Sequence, residues 1–263
     1  MAVRAGFDVV VVGASIAGCS AARLFASAGA RVALVERRPD PRAYKVVCTH
    51  QILSSAVPTI KRLGLAPLIE ARGAVRTHVE MWSPYGGWMR FPTDVPYGYG
   101  VTRWTLDPIL RELAAGTPGV EFLPGSTVVG LLGDDGRPAG VRIETPNHEV
   151  RTIPARLVVG ADGRGSTIAR WARVPGRVRA HNRFYYFAYW RGLRPVTTGA
   201  RLWLLIPTVR PHSPTRTTSP SSSQRRTARG LRSFGPTPRM PTGAWSRLCP
   251  RAQISPARNV RRS

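Results

Sequence analysis

Gly13, Ser15 and Gly18, in the hexapeptide Gly13-Ala14-Ser15-Ile16-Ala17-Gly18, carry the clearest chemistry in this chain. A glycine turn of the form G-x-G-x-x-G at a helix N-terminus offers free backbone N–H groups and the positive end of a helix dipole, a setting that holds a diphosphate. Serine replaces the middle glycine here, which narrows the approach but adds a hydroxyl donor. Glu36 follows 23 positions after Gly13, an interval at which a carboxylate can meet an adenosine ribose. Such groups work only if regular elements place them. Val9 to Val12 form the continuous apolar run expected of a parallel strand buried on both faces. Ile16 to Ala28 read as a helix ending at Gly29, and Val32 to Val35 as a second strand closed by Glu36. With strand, turn, helix, strand and acid in register, the segment predicts a dinucleotide-binding unit rather than a βαβ turn without a ligand.

A second segment bears on which dinucleotide. Leu157 to Val159 form a short apolar strand that runs through Gly160 and Ala161 into Asp162-Gly163 and then a helix to about Ala172. Together with the N-terminal unit, this resembles the FAD-dependent oxidoreductases of the para-hydroxybenzoate hydroxylase type and their relatives, the geranylgeranyl reductases and flavin halogenases. The resemblance implies FAD as cofactor and NAD(P)H as reductant. It also implies cofactor contacts from Gly13, Ala14, Ser15, Ile16, Ala17 and Gly18 at the diphosphate, Glu36 and Arg37 near the ribose, Arg103 near the phosphates and ribityl chain, Val128, and Asp162 with Gly163. Taken without the resemblance, Arg103 reads equally as a solvated arginine at a helix start, and Asp162-Gly163 as a plain turn.

The rest of the pattern fits that architecture. Val75 to Met81 and Gly87 to Phe91 flank the turn-rich Ser83-Pro84-Tyr85-Gly86 and read as a hairpin. Leu106 to Ala115 read as a helix with Asp107 and Pro108 in its first turn. Val120 to Leu123, Thr127 to Leu132, Gly140 to Thr145 and Glu149 to Ile153 read as short strands, with a hairpin signal at Gly133-Asp134-Asp135-Gly136. Phe184 to Trp190 and Arg201 to Ile206 read as further strands, whose aromatics suit either an apolar pocket or core packing. The expected fold class is α/β, a Rossmann-like FAD/NAD(P)-binding domain interleaved with an incomplete mixed or antiparallel substrate sheet. Its boundaries are 1–74 and 100–175 for the cofactor domain, 75–99 for the hairpin, 176–208 for a partial substrate sheet, and 209–263 for a tail.

That tail is of another kind. Its 55 residues hold 12 Arg, 9 Ser, 8 Pro and 6 Thr and no acid. Apolar residues lack any period, so the segment cannot offset its ordering entropy and is expected to be disordered. The last acid of the chain is Asp162, and residues 163–263 alone contribute 21 of the formal net charge of +25. Either the tail is a basic arm that neutralises phosphate, or it is a GC-rich coding region read out of frame after about residue 208. The abrupt onset and the lack of lysine favour the second, so no specific nucleic-acid partner is expected. By resemblance, a third flavin segment, Gly-Asp-Ala, should follow the substrate sheet. None occurs, and the chain as written is therefore expected to be inactive, with no catalytic residue assignable.

Other chemistry is thin. Cys19, Cys48 and Cys249 stand too far apart for a metal site or a disulfide framework. The segment Lys45 to His50 is only faintly similar to the Lys-x-Cys-Gly stretch of the geranylgeranyl reductases, and a simple loop is the plainer reading. No signal peptide and no apolar run of spanning length occur, so the chain reads as cytoplasmic. The expected partner is a small aromatic or apolar substrate. Hydroxylation is the leading reaction by analogy, and double-bond reduction the alternative.

Overall fold

The structure is a computed structural model that describes residues 6–83, 85–89, 96–133 and 137–179, together with the backbone of 200–203. Val9 to Val12 lie in strand β1 (Phe7–Val12), followed by helix α1 (Ile16–Ser27) and strand β2 (Val32–Glu36). Every residue of β2 is buried, as a strand covered on both faces requires. Gly29, just beyond α1, has a φ of +88°, the left-handed conformation that ends helices at glycine.

After β2 the chain forms strand β3 (Gln51–Ile52), helices α2 (Val57–Arg62) and α3 (Ala66–Ala71), and strands β4 (Val75–Thr77), β5 (Val79–Ser83), β6 (Gly87–Met89) and β7 (Gly98–Gly100). Helix α4 (Arg103–Ala115) then leads to β8 (Val120–Pro124), β9 (Thr127–Leu132), β10 (Gly140–Glu144) and β11 (Val150–Gly160), and α5 (Thr167–Trp171) follows. The main sheet has the order β8-β2-β1-β11-β10-β9. Its first four strands run parallel, while β10 pairs antiparallel with both β11 and β9.

Alternation along β1 and β2 builds two cores. Val9, Val11, Val32 and Leu34 pack with Ala22 of α1, Ile60, Ile69, Tyr99 and Leu110. Val10, Val12, Ala33 and Val35 pack with Val141, Ile143, Ile153 and Ile168. The meander β9-β10-β11 thus covers the second face, and the Ser126 N–H donates to the Glu36 carbonyl at 3.0 Å.

Three readings change. The two stretches read as Glu149–Ile153 and Leu157–Val159 are one strand of 11 residues, β11. Pro154 does not break it, because the strand changes partners there: Val150 to Pro154 pair with β10 and Ala155 to Gly160 with β1. The hairpin expected from Val75 splits at His78. β4 pairs with β7 in a sheet of order β3-β7-β4, and only β5 turns back on β6, with Met81 opposite Met89. Helix α4 begins at Arg103, which places Pro108 inside the helix rather than in its first turn.

Of the described residues, 81–83, 85–89 and 201–203 belong to a second unit. There, β12 (Ala200–Trp203), β5 and β6 form a three-stranded sheet. The aromatic strand expected at Phe184 to Trp190, the Asp134 to Gly136 turn and the 209–263 tail lie outside the described residues.

Candidate functional site

The two sequence motifs meet because their strands are neighbours. β1 and β11 pair with Val12 opposite Gly160, and the Ala161 N–H donates to the Val12 carbonyl at 2.8 Å. Gly13 follows with φ +100°, and a Cβ there would stand 2.6 Å from the Ala161 carbonyl oxygen. A Cβ on Gly18 would lie 1.7 Å from the Gly13 carbonyl oxygen. Both glycines are therefore forced by backbone meeting backbone. The turn is drawn tight, and the N-terminus of α1 stands open beyond it. Its first N–H groups, from Ser15 to Ala17, have no intrahelical acceptor, as at any helix start.

Side chains fix that turn from three directions. The buried Glu36 carboxylate accepts from the Ala14 N–H at 2.7 Å and from the Arg38 N–H at 3.0 Å, so the acid ties the end of β2 to the glycine turn. Ser15 precedes α1 but does not cap it; its hydroxyl instead accepts from Arg103 Nη2 at 2.9 Å. Arg103 is only 5 % exposed, so the solvated alternative is corrected. It binds Asp107 through two bonds, Nε to Oδ1 at 2.7 Å and Nη2 to Oδ2 at 2.9 Å. Burial alone would lower the guanidinium pKa, but the Asp107 carboxylate outweighs it and the pKa is raised.

One turn further along α4, Arg111 is 3 % exposed. It donates to the Ala14 carbonyl through Nε at 2.9 Å and to the Pro41 carbonyl at 3.0 Å, and it also reaches the Ala43 carbonyl. Asp107 accepts in addition from the Lys45 N–H at 3.0 Å, and the Arg103 N–H donates to His50 Nδ1 at 3.1 Å. Arg103, Asp107 and Arg111 thus form a polar ladder at four-residue spacing on one face of α4. The ladder pins both the glycine turn and the 41–50 loop. Sequence reasoning found Arg103 and missed the other two, although their spacing was visible. A run of Arg, Asp and Arg along a helix is ordinarily a solvated face, and only burial distinguishes this one.

Burial, followed by the charge of Arg103, holds the His50 imidazole below its usual pKa, in keeping with a neutral ring that accepts at Nδ1. Burial pushes the Cys19 thiol on α1 up to about 12, so it stays protonated, a packed residue as expected.

Asp162 plays a different part. Its Oδ1 accepts from the Ser166 hydroxyl at 2.5 Å, and its Oδ2 from the Thr167 and Ile168 N–H groups at 2.7 and 3.2 Å. Burial raises its pKa, but the Ser166 hydroxyl and the two N–H groups outweigh it, and the result is lowered. The carboxylate receives the first two N–H groups of α5, whose N-cap Ser166 accepts from the Ala169 N–H at 2.9 Å, and it remains exposed beside Gly163. Val128 lies on β9 opposite Ile143, two residues beyond the Ser126 contact to Glu36, and Arg37 is exposed. A cavity of about 360 Å³ opens beside the start of α4, lined by Thr49, His50, Arg72, Thr102 and Thr105 among others. The glycine turn does not line it. Among the described residues, no group of His, Cys, Asp and Glu could hold a metal ion, and no helix is long and apolar enough to cross a membrane.

Against known proteins, residues 6–227 match the family described as FAD binding domain. The chain belongs to that family. The match of this FAD-binding domain runs past residue 208 into the Arg-rich segment. Among sequence relatives, a digeranylgeranylglycerophospholipid reductase of Picrophilus torridus is 29 % identical over 183 residues, covering 67 % of this chain and 44 % of that protein. A menaquinone reductase of Mycolicibacterium smegmatis is 33 % identical over 168 residues, covering 62 % and 39 %. The chain therefore spans less than half the length of these relatives. Among solved structures, a geranylgeranyl bacteriochlorophyll reductase-like protein of Thermoplasma acidophilum matches with a TM-score of 0.55 and 25 % identity, covering 66 % of this chain and 43 % of that one. A flavoprotein/dehydrogenase of Cytophaga hutchinsonii matches with a TM-score of 0.60 at 22 % identity, covering 75 % and 50 %, and so shares the fold. The FAD-binding domain thus falls within the para-hydroxybenzoate hydroxylase-like flavoprotein oxidoreductases, as the paired motifs implied.

Proposed function

We propose that this chain holds the adenosine diphosphate half of FAD for an NAD(P)H-dependent flavoprotein oxidoreductase acting on an aromatic or apolar small molecule. One observation carries the reading. The Gly13 and Gly18 backbones touch so closely that no side chain fits, and this leaves the N-terminus of α1 bare beside a buried carboxylate on the next strand. The N–H groups from Ser15 to Ala17 take the diphosphate. Glu36, already fixed by Ala14 and Arg38, retains lone pairs for the ribose hydroxyls. Arg103, anchored by Asp107, reaches the turn at Ser15 and places a donor beside the phosphates. Gly163 has nothing within 4 Å of its would-be Cβ, which leaves room for the ribityl side of the cofactor to approach the second turn. Val128 and Arg37 border the adenosine. When bound, FAD supplies the electron-transfer chemistry. The protein binds, orients and excludes water.

The parent reaction we propose is hydroxylation. Reduction of an isoprenoid double bond is a second reading, favoured by the relatives named digeranylgeranylglycerophospholipid reductase. The experiment is an FAD titration of the purified chain, followed by visible absorbance and flavin fluorescence. Saturable binding that disappears in Glu36→Ala is expected, and a folded sample that never binds FAD overturns the reading. A full-length relative carrying this segment separates the two reactions, since hydroxylation consumes oxygen and reduction proceeds under nitrogen.

A further inference from the structure

Arg111 is a fully sequestered cation that the FAD-binding motifs do not call for. Its three acceptors are carbonyls, from Ala14 in the glycine turn and from Pro41 and Ala43 in the following loop. Among the described residues no ion pair neutralises it, whereas Arg103 two turns earlier is matched by Asp107. A buried charge without a bonded counter-charge is costly unless something nearby repays it. Three carbonyl dipoles, and the buried Glu36 and Asp107 carboxylates near the same turn, repay part. The remainder points to an anion beside the turn, where effective dielectric is low and attraction reaches further than in water.

We propose that Arg111 is a positioning residue for the diphosphate, bringing a buried positive charge to the glycine turn and tying the 41–43 backbone to that turn through one guanidinium. The inference rests on the proposed diphosphate site. It gives that site a part drawn from α4, far from the turn in sequence. It also makes the 41–45 segment a partner of the phosphate site, held by Arg111 at one end and by the bond from the Lys45 N–H to Asp107 at the other.

The test compares a charged ligand with an uncharged one. ADP and adenosine are titrated calorimetrically against the full chain and against Arg111→Gln and Arg111→Lys. Gln keeps a donor for the Ala14 carbonyl and loses the charge, whereas Lys keeps the charge. The expected result is ADP weakened about 10-fold or more by Gln, adenosine weakened less than about 3-fold, and Lys recovering most of the ADP affinity. Equal weakening of both ligands, or no change with either, overturns the proposal, because a purely structural arginine would not distinguish them. Should the Gln variant not fold, hydrogen exchange of the unaltered chain decides the matter. The amides of residues 42–45 should slow at least several-fold when ADP binds, and unchanged exchange there overturns the coupling. If the unaltered chain binds neither ADP nor FAD, the diphosphate reading itself fails, an outcome distinct from both others.

Discussion

Two turns stand side by side at the ends of two paired strands, and they are built on opposite principles. The turn after β1 is closed upon itself: Gly13 and Gly18 have no room for a methyl group, and Glu36, Arg103 and Arg111 hold the turn from outside. The turn after β11 is open. Neither Gly163 nor Gly165 would place a Cβ within 4 Å of anything, and the exposed Asp162, with the Ser166 hydroxyl bonded to it, meets the first N–H groups of α5. Close backbone contact and three buried side chains fix the first turn, while the Asp162 carboxylate and the Ser166 hydroxyl shape the second. A diphosphate needs fixed N–H groups. A longer, flexible part of a cofactor needs space.

Substitutions should separate the two turns sharply. Gly18→Ala places a methyl 1.7 Å from the Gly13 carbonyl, and we expect a loss of about 4 kcal/mol or more or no folded protein, read by thermal melting. Asp107→Ala strips the buried Arg103 of its counter-charge and should cost about 3–5 kcal/mol. If that variant melts like the unaltered chain, the ladder on α4 is not what holds the first turn. At the second turn, Asp162→Ala takes the acceptor from the first two N–H groups of α5 but leaves the Ser166 hydroxyl on the Ala169 N–H, and should cost about 1 kcal/mol in chemical denaturation. Gly165→Ala, with open space on every side, should fall within about 0.5 kcal/mol.

Acid should also resolve the turns, in separate windows. His50, beside the first turn through Arg103, has a lowered folded pKa. Its unfolded form takes up a proton first, so stability should begin to fall below about pH 6.5. Asp162 also has a lowered folded pKa. For a carboxylate the stabilisation is complete above its unfolded value, so its loss begins near about pH 4 and continues as pH falls through the folded value. Denaturation midpoints across pH should show both slopes in the unaltered chain, while His50→Gln and Asp162→Asn should each lose one of the two. A single slope that survives both substitutions would contradict the assignment.

The sequence made the parallel half legible because periodicity and glycine placement are local signals. Val9 to Val12, the turn and Val32 to Val35 all stand where the pattern put them. What escaped was non-local. Nothing in Glu149–Gly160 announces that one strand serves an antiparallel partner and then a parallel one, since Pro154 reads as a break. Pro108 suggested a helix start because proline favours first turns, while the helix starts at Arg103, whose N–H donates to His50 across the chain. At the site, the glycine turn and Glu36 stood out by spacing, while Arg103 and Asp162 came from the family resemblance. Asp107 and Arg111, which act through other residues, looked like surface charge until burial was known.

The change of partners within β11 also has a consequence in time. Val9 pairs with Leu157, 148 positions later, and closing so long a loop carries a large entropic cost. Emerging from the ribosome, β1 can find β2 almost at once, yet its other edge stays bare until the chain has been synthesised to about residue 160. The meander β9-β10-β11 forms from neighbouring segments just before that point and delivers the missing edge ready-made. High contact order of this kind slows folding, and the nascent chain passes through an interval with an unpaired apolar strand, when chaperone binding would matter most.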